Sequence, residues 1–401
     1  MFARLLDWTA KAFVAGGGLA TVLAVALYVY QEKLLYHPTM PGTPKKPAEN
    51  PKHYRSPAEY NIPFVDVWIT TADGVRLHAW LLLQPGPRRG SPTILYFHGN
   101  AGNIGFRLPK ARDMYLRCGC HILMLDYRGY GNSDGTPTEQ GLMLDAEAAL
   151  AALPEALLDD GEGEGGADEA VGGGAYGPLQ VLLFGRSLGG AVALGLAHSR
   201  QQQLLLQQDE GVEEGAEGAG AGAGGEGAVV VGCILENTFL DISSMVDCVL
   251  PALRHLKHLV LRMDWPSRTW AAAVRCPLLF VSGLRDELVP PAHMRQLYEL
   301  ATKASFRDWL AIPKGTHNDT YYRGGEAYYR KLGRFVDRAC ARRGHGAAGG
   351  GGCGDDVVAG EGAPALAEEG HIPSMLEHEH LKHVVSSSAA AAGGTKKDAN
   401  L

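Results

Sequence analysis

Cysteine is scarce and unpatterned. The 401-residue chain holds seven, Cys118, Cys120, Cys233, Cys248, Cys276, Cys340 and Cys353, with no C-x-x-C pair among them. An odd count without that spacing excludes a disulfide scaffold and a zinc ribbon, and leaves buried thiols. There is no long Lys/Arg run and no basic stretch interleaved with aromatics, so nucleic acid is not an expected partner. H-E-x-x-H is absent too. A histidine cluster, His378, His380 and His383, sits in low-complexity sequence, and neither a metal nor an organic cofactor is expected.

Glycine, in contrast, is abundant, at 53 residues, well above the usual ~7%. It concentrates in residues 159–177, 209–227 and 344–401. The first two stretches each carry six acids and no base, and the third carries eight acids and three bases. With a total charge of −7, the remainder is therefore net positive, which favours an anionic surface such as a membrane. The acidic stretches are too polar to bury and too flexible to order, so they read as disordered insertions and a low-complexity tail.

Residues 12–30 carry no charge. As a helix they would span about 28 Å, close to a hydrocarbon core of ~30 Å. Tyr28 and Tyr30 at the far end suit an interfacial belt. A membrane anchor is the reading preferred here over a cleaved signal peptide, for which the apolar run is long, or a buried helix. Residues 32–60, Pro-rich and polar, read as a spacer. The expected organisation is an anchor over 1–31, a linker over 32–60, a globular domain over 61–343 and the tail. No oligomeric state follows from these features.

Short apolar runs at 64–70, 77–84, 93–97, 122–125, 179–184, 229–235, 277–282 and 306–312 read as strands. Amphipathic stretches at 104–117, 138–157, 187–206, 291–302 and 321–341 read as helices. Asp73 and Gly74 join the first two strands as a hairpin. Alternation from there onward predicts an α/β fold, a mostly parallel sheet with helices on both faces.

Between a strand and a small-residue helix stands G-R-S-L-G, residues 185–189. This context suits a serine on a strained turn, its hydroxyl thrust out at the carboxyl edge of the sheet and facing a helix amino terminus. A serine hydroxyl needs a base to take its proton, so Ser187 should be followed in the chain by an acid and a histidine. Asp286 and His317 each lie just past a strand, where open α/β sheets collect their sites. Glu236 is a second candidate acid, and His293 a weaker candidate base, readable as a surface residue. The oxyanion would be held by the amides of Leu188 and of Asn100, the latter in the loop that begins at His98. His98 itself is expected to shape that loop. Asp126 and Arg128 read as a pair holding a glycine turn.

The runs FHGNAGN, LDYRGYGNSDG, GRSLGGAVAL, ENTF, GLRDELVP and GTHND together resemble the α/β-hydrolase superfamily. They are most similar to membrane-anchored serine hydrolases of the α/β-hydrolase domain-containing protein 13 type. The related domain-containing protein 17 depalmitoylases are more distant; their N-terminal cysteine cluster has no counterpart in residues 1–117. The resemblance implies an α/β-hydrolase fold with Ser187 as nucleophile, Asp286 as acid and His317 as base. It also implies a single-pass, type II membrane topology.

Residues 236–276 are long enough for a small cap. Leu250, Leu253, Leu256, Val260 and Met263 recur at helical spacing, either as a core-facing stripe or as the lining of an acyl pocket. The expected activity is cleavage of an acyl ester, thioester or lipid-like substrate. A non-catalytic membrane scaffold and a peptidase acting on small peptides are the alternatives. Asn318 lies in a glycosylation pattern with Thr320. A glycan beside His317 would crowd the site, so Asn318 is expected to be unmodified in the purified protein, which peptide mass spectrometry checks.

Overall fold

The structure is a computed structural model that describes residue 18 and residues 21–157, 178–213, 227–341 and 356–357. It contains a nine-stranded sheet ordered β1-β2-β4-β3-β5-β6-β7-β8-β9. The strands are β1 (Phe64–Thr70), β2 (Arg76–Leu82), β3 (Thr93–Phe97), β4 (His121–Leu125), β5 (Leu179–Arg186), β6 (Ala228–Glu236), β7 (Leu278–Gly283), β8 (Arg307–Ile312) and β9 (Asp356–Val357). β1 and β2 form the expected hairpin, and β2 runs antiparallel to β4. From β4 onward every pairing is parallel.

The helices are α1 (residues 21–35), α2 (Leu108–Cys118), α3 (Glu139–Ala156), α4 (Leu188–Glu213), α5 (Ile242–Val249), α6 (Lys257–Val260), α7 (Ser267–Ala273), α8 (Pro291–Leu300) and α9 (Thr320–Ala341). Two cores divide them. Leu142 and Ala146 of α3, Ala191 and Leu194 of α4 and Leu297 of α8 pack with Leu95, Leu123 and Leu183 on one sheet face. Met114 of α2 and Tyr328, Leu332 and Phe335 of α9 pack with Tyr96, Met124 and Phe184 on the other. Strands covered on both sides need apolar residues at every position, which is why the central strands read as unbroken runs rather than alternating ones.

Helix starts follow local chemistry. The Thr138 side chain accepts from the Gly141 amide at the start of α3, and the Asp241 side chain accepts from the Ser244 amide at the start of α5. Gly325, with φ of 50°, breaks α9 near its beginning.

Several expectations change. Residues 32–60 do not form a free spacer. Tyr36 and Met40 are buried, and the Asn103 amide donates to the carbonyls of Pro44 and Lys45 at 3.2 and 3.0 Å. Asn50 and Asn103 also bond side chain to side chain. The segment is strapped to the loop after β3, because Asn103 is buried and must be satisfied from within. The stripe from Leu250 to Met263 is not one helix but a 3-10 turn at Pro251–Leu253, the short α6, and irregular chain through Met263. α4 continues through Glu213, so residues 209–213 are helical where an insertion was expected. β9 adds an edge strand inside the expected tail. Cys248 is exposed rather than buried. Residues 159–177 and 214–226 of the insertions, the histidine cluster of the tail, and residues 12–17, 19 and 20 of the apolar run lie outside the described residues. Among the described residues, no helix is long and apolar enough to cross a membrane.

Residues 158–177 join α3 to the amino end of β5, the edge opposite the carboxyl ends of the strands. Replacing 159–177 with a short Gly/Ser linker should therefore change stability by less than about 1 kcal/mol. Thermal unfolding of the shortened chain checks this.

Candidate active site

β5 hands over to α4 at Ser187, whose φ of 54° is left-handed. A serine held there stores about 1–3 kcal/mol of strain and needs its surroundings to hold it. They do so from three sides. Its amide donates to the Glu236 carbonyl at 2.9 Å, and its carbonyl accepts from the Gly190 amide at 2.9 Å and from the Thr238 hydroxyl at 2.7 Å. The flanking glycines are required by space. A Cβ on Gly185 would overlap the Gly189 carbonyl, and one on Gly189 would overlap the Phe97 carbonyl of β3. The G-x-S-x-G pattern is thus a consequence of two strands and a helix closing on one turn.

His317 lies between β8 and α9 and is buried. Its Nδ1 meets Asp286 Oδ2 at 2.8 Å. The other oxygen of Asp286 accepts the Leu288 and Val289 amides at 2.9 and 2.8 Å, which fixes the carboxylate before the histidine reaches it. The histidine loop carries its own brace. Asp319 accepts from the Thr316 amide at 2.7 Å and from its hydroxyl at 2.8 Å, and from Arg323 at 2.9 Å. Burial would push the Asp319 carboxyl up, but these bonds outweigh it and hold it below the usual range. The His317 amide donates to Glu287 at 3.2 Å.

Three supports escaped the sequence reading. Asn237 follows β6 with φ of 47°. Its amide nitrogen donates to the carbonyls of Thr316 and His317, both at 3.2 Å, and to the Thr320 hydroxyl at 2.9 Å, while its oxygen accepts from the Gly283 amide at 2.8 Å. It therefore couples the loops that carry Asp286 and His317. Thr238, beside it, holds the Ser187 carbonyl. Arg186 donates to the His317 carbonyl at 3.2 Å and to the Asn318 side chain, which ties the serine turn to the histidine loop. The ENTF run was visible, but nothing local in it signals a tie between two distant loops.

Ser187, Leu188, His317 and Asn100 line one cavity of about 1350 Å³, its open mouth included. The Asn100 carbonyl is occupied by the Tyr130 hydroxyl at 2.7 Å and the His37 amide at 3.3 Å. Leu188 is the first residue of α4, where helix amides have no intrahelical partner. Away from these groups the lining is mostly apolar, with Gln31, His37, Arg186 and Lys257 also on it. It includes Leu250, Leu253, Val260 and Met263, so the pocket reading of the stripe fits; Leu256 does not line it and is exposed.

The rival residues fall elsewhere. Glu236 is buried, bonds Lys110 Nζ at 2.7 Å and the Tyr328 hydroxyl, and does not line the cavity. Burial pushes the Lys110 ammonium down to about 8, with Glu236 opposing the shift. His293 is buried rather than on the surface, against the Leu240 amide and Cys248 Sγ at 3.5 and 3.9 Å, and also lies outside the lining. The expected Asp126–Arg128 pair does not form. Arg128 bonds Asp145 at 2.8 Å and Asp73 at 2.7 Å, while Asp126 accepts from the Ile104 amide at 2.9 Å. His98 shapes its loop as expected, its Nδ1 against the Gly99 carbonyl at 2.6 Å and its own carbonyl accepting from Tyr127 at 3.0 Å.

A serine on a strained turn, a carboxylate-bound histidine and helix-start amides around one apolar cavity define the general class of α/β hydrolases. The alpha/beta hydrolase family description matches residues 94–380. WAV2, an alpha/beta hydrolase domain-containing protein of Arabidopsis thaliana, is 34% identical over 349 residues, 83% of this chain and 96% of that protein. The bem46 protein of Schizosaccharomyces pombe is 31% identical, covering 79% of this chain and 89% of its own. YNL320W of Saccharomyces cerevisiae, described as an uncharacterized membrane protein, is 31% identical over 79% of this chain and 94% of its own. Among solved structures, the Pyrococcus furiosus esterase Pf2001 aligns with a TM-score of 0.48 at 17% identity, over 71% of this chain and 94% of that one. The chain belongs to the alpha/beta hydrolase family, in the branch of the α/β-hydrolase domain-containing protein 13 and bem46 type.

Lys110→Met should destabilise the fold by about 3–5 kcal/mol, because Glu236 is left charged and buried without its partner. Lys110→Met with Glu236→Leu should recover much of that loss. Chemical denaturation of the two variants beside the parent checks the difference.

Proposed function

We propose that the chain is a membrane-anchored serine hydrolase that cleaves acyl esters or thioesters through an acyl-enzyme. The observation that carries this is the shared cavity. Ser187, held left-handed at its turn, and His317, bound through Nδ1 to Asp286, line the same apolar space. With Nδ1 donating to Asp286, Nε2 is the nitrogen left to accept a proton. Ser187 Oγ attacks the acyl carbonyl carbon, and its proton passes to His317 Nε2. The amides of Leu188 and Asn100 stabilise the oxyanion; such a donor is worth about 3 kcal/mol in the transition state. Collapse of the tetrahedral intermediate breaks the bond to the leaving group, which takes the proton from His317. Water, deprotonated by the same imidazole, then releases the acid and restores Ser187. Asp286 orients the ring and stabilises its charged form. This chemistry requires no metal and no organic cofactor.

The mostly apolar lining favours an acyl chain over a peptide. The anchor rests on the uncharged run 12–30, and the description of the yeast relative as a membrane protein agrees with it. A single span with the catalytic domain on its carboxyl side fits a type II arrangement.

Ser187→Ala should abolish labelling by a fluorophosphonate probe while the melting temperature stays at or above that of the parent, since the serine's own side chain carries none of the bonds that hold the turn. Labelling that persists undiminished places the nucleophile at another residue.

A further inference from the structure

The cavity has a wall that the hydrolase fold does not require. Leu27, Gln31, Leu34 and Leu35 of α1 line it opposite the cap. Gln31 is buried and clamps the two together. Its amide nitrogen donates to the Val260 carbonyl at 3.0 Å, and its oxygen accepts from the Arg262 and Met263 amides at 2.9 and 3.1 Å. Arg262 adds bonds to the Tyr28 carbonyl at 3.0 Å and to Glu32 at 2.5 Å. Below the cap, the Trp265 indole donates to the Tyr36 hydroxyl at 3.0 Å.

Gln31 is also the first residue after the uncharged run 12–30. If that run crosses the hydrocarbon, the clamp sits at the headgroup boundary, where Tyr28 and Tyr30 are suited to lie. The cap is then held at the same depth. Its outer surface agrees. Leu256 and Leu259 are exposed, Leu259 by 78%, beside exposed Arg254 and Arg262, and residues 254–263 contain no acid. Val22, Leu23, Val25 and Val29 of α1 are exposed as well. Arg254 and Arg262 are themselves paired with Asp247 and Glu32, so it is the exposed apolar tips, at the depth where an apolar helix leaves the hydrocarbon, that match a lipid surface.

We propose that α1 is part of the substrate site, and that the cap tip at Leu256 and Leu259 is seated in the leaflet from which α1 emerges. An acyl chain then passes from lipid into the cavity between α1 and the cap without crossing water. The inference rests on the hydrolase reading above and adds the physical state of the substrate, an acyl ester or thioester still embedded in the bilayer.

The test uses the full chain reconstituted in phosphatidylcholine/phosphatidylserine vesicles, with Leu256→Asp combined with Leu259→Asp. Neither leucine lines the cavity. Two substrates are compared, p-nitrophenyl butyrate in water and 4-methylumbelliferyl palmitate dissolved in the vesicles. The expected result is turnover of the short ester within twofold of the parent and at least a tenfold loss on the embedded ester. The preserved short-ester rate itself reports a folded site. Equal loss on both substrates, or no loss on the embedded one, overturns the inference and leaves the hydrolase reading standing. A parent that turns over neither substrate and shows no Ser187-dependent labelling overturns both. If the variant dissociates a dimer in detergent while embedded-ester turnover is unchanged, the patch belongs to a second copy and the membrane assignment is overturned.

Discussion

The turn at Ser187 is the constraint around which this molecule is arranged. A left-handed serine between a buried strand and a buried helix is stable only while neighbouring backbone closes on it from several directions. Gly185 and Gly189 permit that closeness, one against the start of α4 and the other against the end of β3. The neighbouring segment of β6 supplies the bonds that hold it there. The residue types at these positions follow from this geometry as much as from any reaction.

A second layer of polar side chains links the strained turn to the loops around it. Asn237 and Arg186 tie the serine elbow to the loops bearing Asp286 and His317, so three segments far apart in the chain share one set of hydrogen bonds. Buried polar groups of this kind are costly unless every partner is present, so they hold the loops in one arrangement rather than several. Glu236 shows the division of labour. Its backbone carbonyl serves the serine turn, while its side chain is spent on Lys110 and Tyr328. A carboxylate engaged in that way is poorly placed to orient a histidine.

The parts of the fold that were legible in the sequence were those with a local signature. The strands showed because central strands covered on both faces are uniformly apolar. The hairpin showed at Asp73 and Gly74. The places of Ser187, Asp286 and His317 at the ends of strands showed because each follows an apolar run. Other features had no such signature. The Asp126–Arg128 pairing was inferred from proximity in sequence, yet Arg128 found Asp145 on α3 and Asp73 in the hairpin. Residues 32–60 have the composition of a spacer, but Asn103 recruits their carbonyls because it is buried and needs acceptors. The stripe at 250–263 has helical spacing without forming one helix.

From its sequence alone this chain determines the alternation of strands and helices, the glycine-framed serine turn and an uncharged N-terminal run, because composition and spacing act within a few residues of one another. Which carboxylate bonds His317, what braces the two loops, and how α1 meets the cap were decided only by the tertiary structure. Those outcomes depend on burial, and burial is set by residues that approach one another only when the whole sheet has formed.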